Sequence, residues 1–121
     1  MCAGLWTIFG FGYWAVVRRD DDRAIGLLGF ADFKRDLTPS IEGLPEMGWI
    51  FASDVHGQGY AGEGVAAALD WADRELGREI PAIIDPRNTP SIRVAERAGF
   101  GAPQLTSYKD GPILLFRRPA P

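Results

Sequence analysis

Apolar positions recur along this chain at two periods, and the change falls at a glycine-rich stretch, "GQGYAG", residues 57–62. Ahead of it the pattern is that of strands. "YWAVVRR" (13–19) has the β-branched and aromatic composition of a strand, and the acidic "DDD" at 20–22 breaks it with a turn. "AIGLLGFADF" (24–33) predicts a second strand antiparallel to the first, with Gly26 and Gly29 marking a bulge or a close backbone approach. A polar loop, "KRDLTPSIEGLP", leads to a third strand, "EMGWIFA" (46–52). Alternation there sets Met47, Trp49 and Phe51 on one face and Gly48, Ile50 and Ala52 on the other.

Beyond the glycines the period lengthens. Val65, Ala68, Leu69, Ala72 and Leu76 recur at helical spacing, and Gly77 supplies the stop. "EIPAIID" (79–85) is a short apolar strand. In "TPSIRVAERAG", Thr89 is the expected N-cap and Pro90 the first helical residue. Gly99 closes that helix in the left-handed conformation, and Phe100 makes the contact that often follows. "QLTSYK", a turn at Asp110 and Gly111, and "PILLFRR" form a terminal hairpin. The order is β-β-β-α-β-α-β-β, an α/β fold with a mixed sheet in one domain, 1–121.

The glycine stretch itself is ambiguous. Gly57, Gly59 and Gly62 spell G-x-G-x-x-G, the dinucleotide-binding fingerprint, and Asp85 lies downstream where a ribose would be held. Read from His56, the same letters give x-G-x-G-x-A, which resembles the loop with which acyltransferases grip coenzyme A. Element order decides between them. A dinucleotide fold repeats βαβ units and carries its fingerprint in the first one. Here three strands come first, two of them a hairpin, only one crossover follows, and "SDVH" separates the loop from its strand.

Composition changes the picture in a few places. A net charge of −3 over 121 residues leaves no electrostatic footprint for nucleic acid or an anionic membrane. A bound phosphate must then be held by backbone amides and a few local arginines. The single Cys2 has no partner for an internal disulfide. "MCAGLWTIFGFGYWAVV" lacks a basic start and is interrupted by glycine, so it reads as buried strand and neither a signal peptide nor a membrane span. A cytoplasmic location is expected.

Four motifs, correctly ordered, now carry a family resemblance: "AIGLLGF", "PEMGWIFASDVHGQGYAGEGVAAALDWA", "DPRNTPSIRVAERAGF" and the terminal hairpin. Residues 13–100 resemble a GNAT-superfamily N-acetyltransferase, nearest the RimJ/RimL-like branch, whose better-known members acetylate ribosomal-protein N-termini. The resemblance implies the GNAT-like acyl-CoA N-acyltransferase fold and acetyl-CoA as co-substrate, with no metal. It further implies direct attack by an amine, from a small molecule or a protein N-terminus, in a ternary complex. Family members usually place a strand and two helices ahead of the strand matching 13–19, and only residues 1–12 stand there. Either an N-terminally shortened domain or a true start upstream of Met1 is therefore expected.

The resemblance also assigns roles. Gln58, Gly59, Tyr60, Ala61 and Gly62 would hold the pyrophosphate on backbone N–H groups at a helix N-terminus. Gly59→Val is accordingly expected to abolish coenzyme A binding with little loss of fold. Ile50, Phe51 and Ala52 would line a pantetheine slot, pairing with it as an added strand would. Trp49 would either contact substrate or simply pack in the core. Asn88 would hydrogen-bond the pantetheine arm, and Arg93 and Arg97 would lie near the adenosine phosphates or remain solvated helix charges. Many relatives carry a thiolate-protonating tyrosine seven residues after that Asn. Ala95 stands there in this chain, so Ser91, or a water it holds, becomes the proton donor, and Ala95→Tyr is expected to rescue a Ser91→Ala variant.

Glu46 sits where the branch places an acidic residue facing the amine. A peptide α-amine, with a pKa of about 7.7–8.0, costs only about 1 kcal/mol to deprotonate at pH 7, against roughly 4.6 kcal/mol for a lysine. One carboxylate acting through water suits the former. His56, in the loop, is expected on the cofactor side or simply exposed. Two other classes remain: a non-catalytic acyl-CoA-binding module, and a structural fragment that dimerises through an exposed sheet. The apolar run at 5–14 would leave an edge and a face uncovered, so a homodimer joined there is expected.

Overall fold

A computed structural model describes residues 3–7 (backbone only), 13–18 and 20–121. Its strands are β1 (Ala3–Thr7), β2 (Tyr13–Arg18), β3 (Arg23–Ala31), β4 (Glu46–Phe51), β5 (Ile80–Ile84), β6 (Gln104–Tyr108) and β7 (Gly111–Arg118). Helix α1 (Tyr60–Glu75) lies between β4 and β5, and α2 (Thr89–Arg97) between β5 and β6. From β2 onward this is the expected order. The addition is β1, which pairs antiparallel with β2 from Ala3 opposite Arg18 to Thr7 opposite Trp14. A strand therefore does stand ahead of β2. Its five residues, "AGLWT", fall in the stretch read as buried strand, but with glycine second they carry too little alternation to mark a strand separate from 13–19.

Part of the expected contact at 5–14 lies in this pairing. The backbone of Leu5 and Trp6 is paired with Val16 and Ala15. The Trp14 ring turns into the core, 4.9 Å edge-to-face from Trp71 and 6.2 Å from Phe30. Residues 8–12 of that stretch lie outside the described ones.

The strands divide into two antiparallel sheets, β1-β2-β3-β4 and β5-β7-β6. β4 and β5 lie side by side without forming a ladder, so the expected mixed sheet is split down its middle. Helix α1 makes the crossover between them. It buries Val65, Ala68, Leu69 and Ala72, the positions its 3.6-residue period marks. Gly64 lets it close on the first sheet, since a Cβ there would stand 3.0 Å from the Leu28 side chain.

Gly26 fulfils its expectation. A Cβ on it would lie 2.6 Å from the Phe51 ring and 2.8 Å from the Ile50 carbonyl oxygen, so β4 runs close because residue 26 has no side chain. The bulge sits beside it. The β2–β3 register shifts between Val16, opposite Gly26, and Val17, opposite Ala24.

Two turn details move by one residue. Asn88 caps α2, its Oδ1 accepting from Ser91 N at 3.2 Å, so Thr89 is already helical. The terminal hairpin turns on Lys109 and Asp110, with φ of +51° and +62°, and Gly111 opens β7. The end of α2 matches expectation: Gly99 has φ +92°, its N–H reaches Glu96 O, and Phe100 N–H reaches Ala95 O. The polar loop between β3 and β4 returns across the second sheet, burying Leu37 and Ile41 against Leu115 of β7.

Candidate active site

The split between β4 and β5 opens into two clefts that share one wall. The larger, about 760 Å3, runs from the end of β4 past the start of α1 to α2. The smaller, about 210 Å3, lies toward the start of β4. Trp49, Asn88 and Ser91 border both, so these three residues mark the junction.

The large cleft is built for an anion at its α1 end. Gly57 and Gly59 adopt φ of +79° and +84°, a region that L side chains rarely occupy, and Gly59 is the N-cap of α1. No side chain caps this helix, and the first of its amides paired back to the cap is Glu63 N, to Gly59 O. The N–H groups of the first turn are thus available at the positive end of the helix dipole. The loop is tied from behind. Asp54 takes both Arg23 guanidinium nitrogens at 2.7 and 2.9 Å, and Gln58 Nε2 donates to Asp54 O at 3.1 Å. His56 is exposed at the cleft wall with Nε2 3.1 Å from Phe51 O.

Of the expected cofactor residues, Gly59, Ala61 and Gly62 line this cleft with Ile50 and Phe51 of β4, and Asn88 and Ser91 face them from α2. Ile50 is 68% exposed there. The side chains of three others turn elsewhere, which leaves their expected backbone roles untouched. The Gln58 side chain is spent inside the loop, and Ala52 and Tyr60 pack against the core, with Ala52 N donating to Ile25 O. Arg93 and Arg97, one turn apart on α2, both reach the cleft, and among the described residues neither is in an ion pair. A Cβ on Gly62 would meet only open space, whereas the positive φ of Gly59 makes Gly59→Val strained whatever it touches. That variant would damage the loop itself, contrary to the expectation from sequence.

The small cleft holds the chemistry-bearing side chains. Glu46 is 4% exposed, and its Oε1 accepts from Arg35 Nε at 2.7 Å. Burial pushes its carboxyl above the ordinary glutamate value, and the Arg35 guanidinium offsets only part of this. Arg35 is itself placed by aromatic rings, 4.7 Å over Phe33 and 5.1 Å over Tyr108. Asp85 also borders the cleft but is engaged by Arg87 at 2.9 and 3.1 Å, which holds it down to about 2. Glu46 is therefore the carboxylate here whose environment moves it toward a neutral-pH proton acceptor.

At the junction, Asn88 serves twice: its Oδ1 is taken by the α2 cap, and the residue lines both clefts. Trp49 likewise both packs, edge-to-face on Phe100 at 6.2 Å, and borders the two clefts. Ala95 is fully buried, so a tyrosine there would overpack the core and Ala95→Tyr is no rescue. Two cleft residues went unseen in the sequence. Arg35 lies within a polar loop and looked solvated, and Tyr13 looked like ordinary strand. Only the register reveals it, by setting Tyr13 opposite Gly29 and Gly29 opposite Gly48.

No group of three or more potential metal ligands occurs among the described residues. No described helix is long and apolar enough to cross a membrane.

Comparison with known proteins agrees with this geometry. A family model described as an acetyltransferase (GNAT) domain matches residues 3–101. YnaD of Bacillus subtilis (strain 168), an uncharacterised N-acetyltransferase, is 33% identical over 86 residues, 70% of this chain and 47% of its own. The chain spans less than half the length of the curated relatives it matches. A structure from Bordetella pertussis assigned to the GnaT acetyltransferase family superposes with a TM-score of 0.81 at 31% identity, covering 92% of this chain and 67% of that one. The fold alone is shared with AAC(6')-Ib, solved with paromomycin and acetyl-CoA: TM-score 0.71, 16% identity, 89% of this chain and 64–66% of that one.

Proposed function

Because this chain belongs to the GNAT family of acetyltransferases, which transfer acetyl groups from acetyl-CoA to amines, we propose that it binds acetyl-CoA in the large cleft and acetylates a primary amine held in the small one. One observation carries the reading. The two clefts meet at Trp49, Asn88 and Ser91, with an uncapped, glycine-lined helix start beyond one and a buried carboxylate beyond the other. The residues present fit the cofactor: free N–H groups and Arg93 and Arg97 for phosphates, and the unladdered edge of β4 for the amides of the pantetheine arm.

In this reading the acetyl thioester lies against β4 near Trp49, where a backbone N–H polarises its oxygen. Glu46 receives the amine's proton through water, the amine nitrogen bonds to the carbonyl carbon, and the carbon–sulfur bond breaks. A single shifted carboxylate favours a weakly basic acceptor such as a protein or peptide α-amine, consistent with a RimJ/RimL-like role. Calorimetric titration separates this from the redox alternative: acetyl-CoA is expected to bind and NAD is not. Thiol release on adding an amine separates an enzyme from a module that only holds acyl-CoA.

Ser91 is the hydroxyl at the junction and is assigned the proton for the leaving sulfur. Ser91→Ala is expected to lower turnover about 10- to 100-fold, at the low end for general acid catalysis, with acetyl-CoA affinity unchanged. Parental turnover with chemistry rate-limiting would assign that proton to solvent.

Assembly as a homodimer belongs to the same reading. Among the described residues β1 ends its sheet with one side unpaired, and Leu27 of β3 is 37% exposed. Light scattering should give twice the chain mass, and a monodisperse monomer at high concentration would remove the dimer.

A further inference from the structure

Tyr13 occupies a position that ordinary strand packing does not require. It lies on β2, yet it borders the small cleft, whose floor is β4, two strands away. The route between them is clear of side chains: Tyr13 is opposite Gly29, and Gly29 is opposite Gly48. The phenol extends along this glycine lane until its Oη lies 3.0 Å from where a Cβ of residue 48 would stand. Phe33 meets the ring edge-on at 6.4 Å. Among the described residues the hydroxyl has no hydrogen-bond partner, although it lies in a cleft whose charged groups, Glu46, Arg35 and Asp85, are each engaged.

We propose that the Tyr13 hydroxyl is the group that orients the attacking amine, an assignment that rests on the acetyltransferase reading above. The phenol oxygen accepts one N–H of the acceptor, which turns the nitrogen lone pair toward the thioester carbon lying along β4. It takes no proton. That goes through water to Glu46, the carbon–nitrogen bond forms, and the sulfur leaves with a proton from Ser91 or solvent. Burial and the Glu46 charge both keep the phenol protonated at neutral pH, so it stays a neutral hydrogen-bonding group. Gly48 then has a purpose: a side chain there would crowd the Tyr13 hydroxyl from 3.0 Å.

The test uses the full chain with acetyl-CoA and three amines: trialanine, 2-phenylethylamine and Nα-acetyllysine. The amine that the parent turns over fastest serves as probe. Tyr13→Phe keeps the ring against Phe33 and removes only the hydroxyl. It is expected to lower kcat/KM for the amine about 10- to 100-fold. The KM for acetyl-CoA and the slow hydrolysis of acetyl-CoA without amine should stay at parental values. Gly48→Ala, whose methyl would crowd the hydroxyl from 3.0 Å, should produce a similar amine-specific loss. Joined to Tyr13→Phe it should add little, because the group it displaces is already gone. An unchanged kcat/KM for Tyr13→Phe overturns the proposal while leaving the acetyltransferase reading intact, and so does a loss shared equally by hydrolysis. A parent that binds acetyl-CoA but transfers to none of the three amines overturns both.

Discussion

Glu46→Gln is expected to slow acetyl transfer to an α-amine by roughly 10²- to 10⁴-fold at pH 7, the range for removing a general base. The loss should shrink as pH rises toward the amine's own pKa of about 7.7–8.0, because the acceptor then arrives neutral. The direction on the acid side follows from the burial of Glu46. Its folded pKa lies above the ordinary value, so parental activity should fall with decreasing pH at a midpoint higher than that of an exposed glutamate. In the Gln variant that limb should vanish, leaving only the titration of the amine. The fold is expected to persist, since a glutamine oxygen can still accept from Arg35 Nε. A variant with the parental pH–rate profile would reduce Glu46 to an anchor for Arg35.

Gly62→Val should weaken acetyl-CoA binding about 10- to 100-fold, the equivalent of roughly 1.5–3 kcal/mol for a charge-assisted hydrogen bond lost at the phosphates. Residue 62 is helical, and a Cβ there would meet nothing within 4 Å, so the added side chain projects into open cleft. Thermal stability should hold or rise slightly, because valine is the better helix former. Calorimetry and a melting curve on the same protein check both halves. Unweakened binding would move the phosphates away from the start of α1. The contrast with Gly59 is instructive, because its φ of +84° makes any side chain there a perturbation of the loop as well as of the ligand.

Much of this architecture was legible in the sequence because it rests on local patterns. Alternation in "EMGWIF", the 3.6-residue spacing from Val65 to Ala72, and the Gly99–Phe100 stop each describe a few neighbouring residues. Errors arose where two local choices were nearly equal. Asn88 and Thr89 are both good caps ahead of Pro90, and the one whose oxygen reaches Ser91 N prevailed. Long-range features left no local trace. Nothing in "EMGWIF" or "IPAII" says that these strands lie side by side unpaired. Nothing in the loop after β3 says that Arg35 folds back over Phe33 to Glu46, 11 residues on. The Tyr13 lane required the pairing of three strands, because each glycine alone reads only as a weak point in a strand.

The loop joining β3 to β4 gives the split sheet an asymmetry. Leu37 and Ile41 rest on Leu115, Thr106 Oγ1 donates to Thr38 O at 2.7 Å, and Arg35 spans from Phe33 to Tyr108 of β6. All three contacts stitch the first sheet to the second at the end nearest Glu46, and none does so near the start of α1. The gap thus behaves as a seam sewn at one end. The cleft beside Glu46 therefore has walls tied together by this loop, whereas the cleft at the start of α1 is bounded by β4, the glycine loop and α2.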